Sequence, residues 1–443
     1  MVIRGGTVVD HTGTRVADVV VANGVVVEIG PEVGVPSGAR TLDASGCLVT
    51  PGLVDLHTHL RQPGHEQAET IESGARAAAL GGYTAILAMP NTEPPMDSAE
   101  VVAQVLAMGR NAATEVLVAG AITRGREGKG LAPMGEMADL GVRIFTDDGN
   151  GVQDPLLMRR AFEYASGLGV TLAQHCEDER LAGGGHMNEG EWSSRLGLPG
   201  IPAEAETVMV GRDIALARLT GARLHLLHLS VRESVALVRR AKAEGLSVTA
   251  EAAPHHLCLT ESLVATYDPV FKVNPPLRSA ADLQALRAGL ADGTIDAIAT
   301  DHAPHTPESK EAPFDQAPPG MLGLETTLAL AWGELGPGAA EAQPGQNPVV
   351  TDQHPLSAEE VFALLSWNPA RIAGVWPRHG GPIQPGAPAN ICVFDPRVRW
   401  TVDPGALASK SRNTPYAGRS MLGRVRHTVV DGVTVVAAGV AQV

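Results

Sequence analysis

The chain has 443 residues, 44% of them hydrophobic and 19% charged, with a net charge of -15. That composition excludes a disordered chain and, for want of a basic face, a general binder of nucleic acid or of anionic membranes; a small anionic substrate stays allowed if local cations attract it. No apolar run approaches the roughly 18 residues of a membrane span, no secretory layout opens the sequence, and the four cysteines (Cys47, Cys176, Cys258, Cys392) are scattered, so a soluble protein of a reducing cytoplasm is expected.

In chain order, residues 1–50 read as short β-branched segments broken by glycines and an Asn23-Gly24 turn. From residue 51 the pattern changes to apolar strand, polar turn and amphipathic helix, repeated. After an opening strand from Leu53 towards His59, strands are expected at 83–89, 115–122, 142–146, 171–174, 223–229, 247–253 and 295–300. Helices are expected at 68–80, from Asp97 or Ser98 as N-cap towards Ala113, and at 154–167, 204–219, 232–244 and 280–291; Asp154 followed by Pro155 is an N-cap with proline at the first helical position. Alternation of this kind predicts a (β/α)8 TIM-type barrel over 51–375, with its active site at the C-terminal ends of the strands. A doubly wound sheet is disfavoured because no glycine fingerprint follows the first strand. The Pro-, Gly- and Gln-rich stretch 335–355 reads as a mobile surface insertion. Residues 376–443 return to β-segments around an Asp431-Gly432 turn, so 1–50 and 376–443 together predict a composite β-sandwich domain.

The chemistry gathers at the strand ends. In Leu53-Val-Asp-Leu-His57-Thr-His59-Leu-Arg61, the two histidines stand at i and i+2 of a strand and present both imidazoles to one side. The fourth strand ends in Asp147-Asp148-Gly149, the fifth in His175, the sixth in His228 and the eighth in Asp301. Nitrogen and oxygen ligands converging on one barrel mouth, with no thiolate, suit one or two divalent ions such as zinc. Strand alternation lets only one of Asp147 and Asp148 face the axis, and the other is expected to cap the turn at Gly149. Arg61 follows two residues beyond the second histidine and on its side, a cation trailing the pair.

Other polar residues carry blander expectations. His225 reads as a buried core histidine, and His255 or His256 as one that orients a ligand or serves the structure. His302 would point away from Asp301 if the strand persists. His65, His186, His354, His379 and His427 are expected on loops or on the terminal sheet at the surface. No base is placed for Cys176, so packing is its expected role.

Pro51-Gly-Leu-Val-Asp55-Leu-His57-Thr-His59, the lone His175 and His228, and Asp301-His-Ala-Pro304-His305 resemble the amidohydrolase superfamily. Within it, His59-Leu60-Arg61, Met89-Pro90-Asn91-Thr92, Phe145-Thr-Asp147-Asp148-Gly149, Asn274-Pro-Pro-Leu-Arg278 and Gly320-Met-Leu-Gly-Leu-Glu325 resemble the class I dihydroorotases over essentially the whole chain. The resemblance implies two zinc ions per chain: His57, His59 and Asp301 would hold one, His175 and His228 the other, and Asp148 would bridge them. It implies Asp301 as proton shuttle. Substrate contacts would come from His59, Arg61, Asn91, Asn274, His305, Pro319 and Gly320. The implied reaction interconverts N-carbamoyl-L-aspartate and (S)-dihydroorotate in pyrimidine synthesis, and the implied assemblies are a homodimer and a complex with aspartate transcarbamoylase.

Hydantoinases and allantoinases of the same superfamily, and some dihydroorotases, carry a carboxylated lysine on the fourth strand. The lysines here are Lys129, Lys242, Lys272, Lys310 and Lys410, none of them there. Gln62 and Pro319 depart from the pattern, standing where a glutamate and an aromatic are common. A catalytically silent barrel serving as scaffold for a partner would be expected to lose ligands, and none is missing.

Overall fold

The computed structural model describes residues 1–35, 38–341 and 355–442; residues 342–354, most of the expected insertion, lie outside them. The central strands are β1 (Leu53–Thr58), β2 (Tyr83–Ala88), β3 (Glu115–Val118), β4 (Ile144–Phe145), β5 (Thr171–Gln174), β6 (Arg223–Leu226), β7 (Val248–Ala252) and β8 (Ala297–Ile298). All pair in parallel, in a three-stranded sheet of order β3-β2-β1 and a five-stranded sheet of order β4-β5-β6-β7-β8. Single parallel bridges, Gly120 to Phe145 and Thr58 to His302, link the two at both ends. Several strands are shorter than their apolar runs. β6 stops at Leu226 because His228 adopts φ +27°, and the chain beyond β8 turns at Asp301, φ +46°.

Every residue of β1 and β2 is buried, as parallel strands covered on both faces must be. One face gathers Leu56, Leu87, Ala119, Ile144, Ala173, Leu227 and Ala297 from both sheets into a single cluster. The other face packs against helices, among them Ile71–Leu80, Ala99–Gly109, Pro155–Leu168, Glu204–Thr220, Arg232–Ala243 and Ala280–Ala291. Local sequence sets their starts. Thr70 and Ser73 close a capping box, so the first helix begins three residues later than its apolar pattern suggests; Ser98, not Asp97, accepts from the N–H of Val101; and Asp154 accepts from Leu157 ahead of Pro155. Inside the apolar strand β1, Asp55 accepts from Thr58 Oγ1 at 2.8 Å, Thr300 N at 2.9 Å and Thr300 Oγ1 at 2.5 Å, tying β1 to the end of β8. Burial pushes its acid up to about 6 in spite of these bonds.

Both chain ends contribute to one seven-stranded sheet of order Val440–Ala441, Val433–Ala437, Ser420–Val430, Ile391–Thr401, Leu48–Pro51, Thr7–Asp10, Gly13–Val16. A four-stranded sheet of Val25–Gly30, Asp18–Ala22, Val2–Arg4 and Thr41–Asp43 shares a core with it, where Ile3, Val19 and Val26 meet Val8, Val49, Val393 and Val429. Asn23-Gly24 and Asp431-Gly432 form the expected hairpin turns, with φ +51° and +81°, +45° and +79°. Two histidines expected at the surface are buried instead. His379 bridges Thr84 Oγ1 (2.9 Å) and Glu115 Oε2 (2.5 Å), and His427 bonds Asp43 O and the Ala438 N–H; the sequence placed them on loops or the terminal sheet, but long-range packing closes over both.

Candidate active site

The strand ends of both sheets surround a cavity of about 240 Å³ lined by His59, Arg61, Asn91, Asp148, Gly149, His175, His228, Val273, Asn274, Asp301, Ala303, His305, Pro319 and Gly320. His57 lies beneath it, fully buried. The i, i+2 spacing on β1 puts His57 Nε2 and His59 Nε2 within 3.6 and 3.3 Å of Asp301 Oδ1, and within 3.3 and 3.5 Å of Asp148 Oδ2. The other oxygen of Asp148 faces the second pair: Oδ1 is 3.7 Å from His175 Nδ1 and 3.6 Å from His228 Nε2. Those two nitrogens are 3.0 Å apart.

Two groups, His57, His59 and Asp301, and His57, Asp148 and His228, bring one ligand atom each within 4.8 Å of one another, the distance range of a common metal ion. His57 Nε2 and Asp148 Oδ1 are buried with no hydrogen-bond partner, as is expected of atoms kept for another ligand. Burial, with the neighbouring His228, pushes His175 down to about 3, and burial lowers His59, so both imidazoles are neutral and fit for coordination. Burial alone would raise Asp148; the surrounding His57, His228 and His59 instead hold it well below the usual carboxylate range.

Asp147 is placed elsewhere. Its carboxylate accepts from Ile122 N at 2.8 Å, Thr123 N at 3.0 Å and Thr123 Oγ1, so it anchors the chain beyond β3 rather than capping Gly149. Arg126 Nη2 donates to Asp148 O at 2.6 Å, so the same segment also holds the dipeptide through its backbone.

Around the mouth, His59 Nδ1 pairs with Asn91 Oδ1 at 2.9 Å, and Asn274 Nδ2 lies 3.4 Å from His175 Nε2. Arg61 Nε donates to Pro304 O at 3.1 Å, while Nη2 stands 3.3 Å from His305 Nε2. Arg61, His228 and Asp301 all have φ in the left-handed region, at +60°, +27° and +46°. A side chain there costs on the order of 1 kcal/mol or more, and the turn it makes is what aims each group at the cavity.

Glu251 on β7 is the residue that sequence patterning overlooked. Fully buried, it sits 2.9 Å from His57 Nδ1 and 3.0 Å from His225 Nε2, which orients His57 and leaves its Nε2 facing the cavity. Burial opposes its charge, yet His225 and His57 draw it down to about 2. A lone glutamate inside an apolar strand was the available signal. His225 is a hydrogen-bonded core residue, shared between Glu251 and Thr249. His255 lies on the short helix Pro254–Cys258 with Nε2 3.7 Å from Asp301 Oδ2, and His302 turns away to Glu69 and the N–H of Gly323. The four cysteines are free and buried, and burial raises the Cys176 thiol far above its usual range, which suits packing and not attack. Among the described residues no helix is long and apolar enough to cross a membrane.

Arg61, His59, His175, His228, Asp148 and Asp301 thus form a compact cluster of imidazoles, ionised carboxylates and one guanidinium at the ends of the parallel strands. Such a cluster can bind divalent ions, accept a proton and hold an anion. A family model described as Dihydro-orotase-like matches residues 46–234. A dihydroorotase of Pelotomaculum thermopropionicum is 50% identical over 434 residues, covering 98% of this chain and 97% of that one, and a dihydroorotase of Mycobacterium leprae is 48% identical over 94% of each. Among solved structures, the L-hydantoinase (dihydropyrimidinase) of Arthrobacter aurescens superimposes with a TM-score of 0.86 at 25% identity, over 100% of this chain and 97% of the other. Sequence identity at that level, carried through both ends of the chain, makes the protein a member of the dihydroorotase family of cyclic amide hydrolases.

Proposed function

We propose that the chain is a zinc-dependent dihydroorotase that interconverts (S)-dihydroorotate and N-carbamoyl-L-aspartate in de novo pyrimidine synthesis. The observation that carries this reading is the split of Asp148, one oxygen towards His57 and His59 and the other towards His175 and His228, in a cavity that also holds Arg61. On this reading His57, His59 and Asp301 would hold one zinc ion and His175 and His228 the other, with Asp148 between the two groups available to both. Bound there, the ions would polarise the ring carbonyl and lower the pKa of water from about 15.7 to roughly 7.

The side chains do the rest. Arg61 pairs with the substrate carboxylate, helped by Asn91 and His305, while Asn274, Pro319 and Gly320 flank the ring. Asp301, ionised and beside the attacking water, takes its proton and returns it to the ring nitrogen as that nitrogen leaves. Arg61 has no purpose on a neutral hydantoin ring. Nor does any lysine serve the fourth strand; Lys272 and Lys310 spend their ammonium groups on the carbonyls of Asp315, Lys272 and Pro318.

The same reading extends to the architecture. The shared cluster on one face of both sheets and the two single bridges support a closed (β/α)8 barrel over 51–375. The common core of the terminal sheets supports a β-sandwich domain of 1–50 and 376–443. The four free cysteines fit a cytoplasmic enzyme. Sedimentation of the chain alone, and mixed with aspartate transcarbamoylase, tests the homodimer and that complex.

The decisive experiment is metal analysis of the purified protein coupled to turnover of dihydroorotate, hydantoin and allantoin. Two zinc ions per chain with turnover of dihydroorotate only is the expected result; equal turnover of hydantoin overturns the substrate, and activity that survives exhaustive chelation overturns the metal. Glu251→Gln removes the charge behind His57, and zinc affinity is expected to fall about 10- to 100-fold, read by competition with a chromogenic chelator.

A further inference from the structure

The wall of the cavity made by His305, Pro319 and Gly320 is loop, not strand end. It belongs to the connection that leaves β8 at Asp301, forms the short helix Pro307–Lys310 and returns through 313–320. Backbone carbonyls buried in such a loop need hydrogen-bond partners. Asn413 and Lys310 supply them.

Asn413 is buried and comes from 402–419, the connection between Ile391–Thr401 and Ser420–Val430 of the terminal sheet. Its Nδ2 donates to Ala303 O at 3.0 Å and Gly320 O at 3.1 Å, its Oδ1 accepts from His305 N at 3.2 Å, and its own carbonyl accepts from Leu322 N at 3.1 Å. One side chain thereby clamps the outgoing and returning arms of the loop together. The arms touch closely: a Cβ at Gly320 would lie 2.8 Å from Ala303 O and from His305 Nε2.

Lys310 joins the same loop to its neighbour. Its Nζ donates to Pro318 O at 2.9 Å and to Lys272 O at 3.3 Å, and Lys272 O also accepts from Gly320 N at 2.9 Å. Lys272 leads directly into Val273 and Asn274, which line the cavity beside Pro319 and Gly320. Burial and the adjacent Lys272 push the Lys310 ammonium down to about 7, so the position retains an amine that its surroundings disfavour as a cation.

We propose that Asn413 and Lys310 are positioning residues that, through backbone carbonyls, hold His305, Pro319, Gly320 and Asn274 in register with Arg61 and so set affinity for the carboxylate-bearing ring rather than its turnover. The proposal rests on the dihydroorotase reading of the cavity. It also makes the terminal sheet part of the substrate site, since the clamp enters from residue 413.

The test uses the full-length, zinc-loaded protein with Asn413→Ala, Lys310→Met and Lys310→Arg. In the first two, KM for dihydroorotate is expected to rise about tenfold with kcat within threefold and zinc content unchanged; Lys310→Arg, which keeps the donors, recovers most of the KM. A KM within twofold of wild type in both, or loss of kcat and zinc together, overturns the proposal. If Asn413→Ala does not fold, the two Lys310 variants decide. Should the wild type open another cyclic amide instead, the dihydroorotase reading fails and the KM shift is read on that substrate. Amide hydrogen exchange keeps the two failures apart without any activity: exchange at His305 in Asn413→Ala and at Gly320 in Lys310→Met should accelerate, and unchanged exchange at both overturns the clamp.

Discussion

Replacing Asp301 with asparagine is expected to lower kcat on dihydroorotate by about 10²–10⁴-fold, the range that a positioned acid–base group supplies. Burial alone would raise this carboxyl, but the bond to His59 and the charges of His57 and His228 hold it far below its ordinary range, so it is ionised at neutral pH. Its Oδ1 lies 3.3 Å from His59 Nε2 and its Oδ2 3.7 Å from His255 Nε2, so the carboxylate sits between two imidazoles at the cavity. Asparagine preserves the shape and one oxygen, yet it cannot take a proton from water and pass it to the leaving nitrogen. Because Asp301 also belongs to a ligand group, zinc content must be measured on the same sample as turnover. Retained activity with intact metal would sink the shuttle.

The second large effect concerns which ring is opened. Arg61→Met should reduce kcat/KM for dihydroorotate by about 10- to 100-fold, as loss of a charge-assisted pair worth roughly 1.5–3 kcal/mol requires. The geometry explains why so much rests on one guanidinium. Its Nε is committed to Pro304 O, which fixes the plane, and the left-handed backbone at Arg61 turns the head into the cavity. Burial, with Arg61 and Lys310 nearby, pushes His305 down to about 3, so that ring is neutral; its shorter contact, 2.8 Å to Pro319 O against 3.3 Å to Arg61 Nη2, assigns the proton to Nε2. Arg61 is therefore left with donors for an anion. A change of less than threefold in kcat/KM would show that the carboxylate is read elsewhere.

Much of this site could be read along the chain because it depends on short-range rules. Alternation in a strand brings His57 and His59 to one side, and apolar runs closed by a polar residue mark His175, His228 and Asp301. Capping chemistry at Ser98 and Asp154 and the two hairpin turns are equally local. Two of the errors lie where a partner is distant in sequence. His379 and His427 look like surface residues until Glu115 and Asp43 close over them. The helix at Ile71–Leu80 starts late because a cap outranks the apolar pattern.

By itself, the sequence determined the alternation of strands and helices, the candidate ligands at strand ends and the family, since each depends on residue type at fixed spacing. Only the tertiary structure decided between Asp147 and Asp148: the N–H groups of Ile122 and Thr123, from the neighbouring strand's end, claim the first carboxylate and leave the second to the histidines. Only it revealed Glu251 behind His57 and Asn413 across the cavity loop. The physical reason is common to these cases. A hydrogen bond between residues 24, 194 or 110 positions apart is set by how sheets and loops pack in space, and no periodicity of the chain records it.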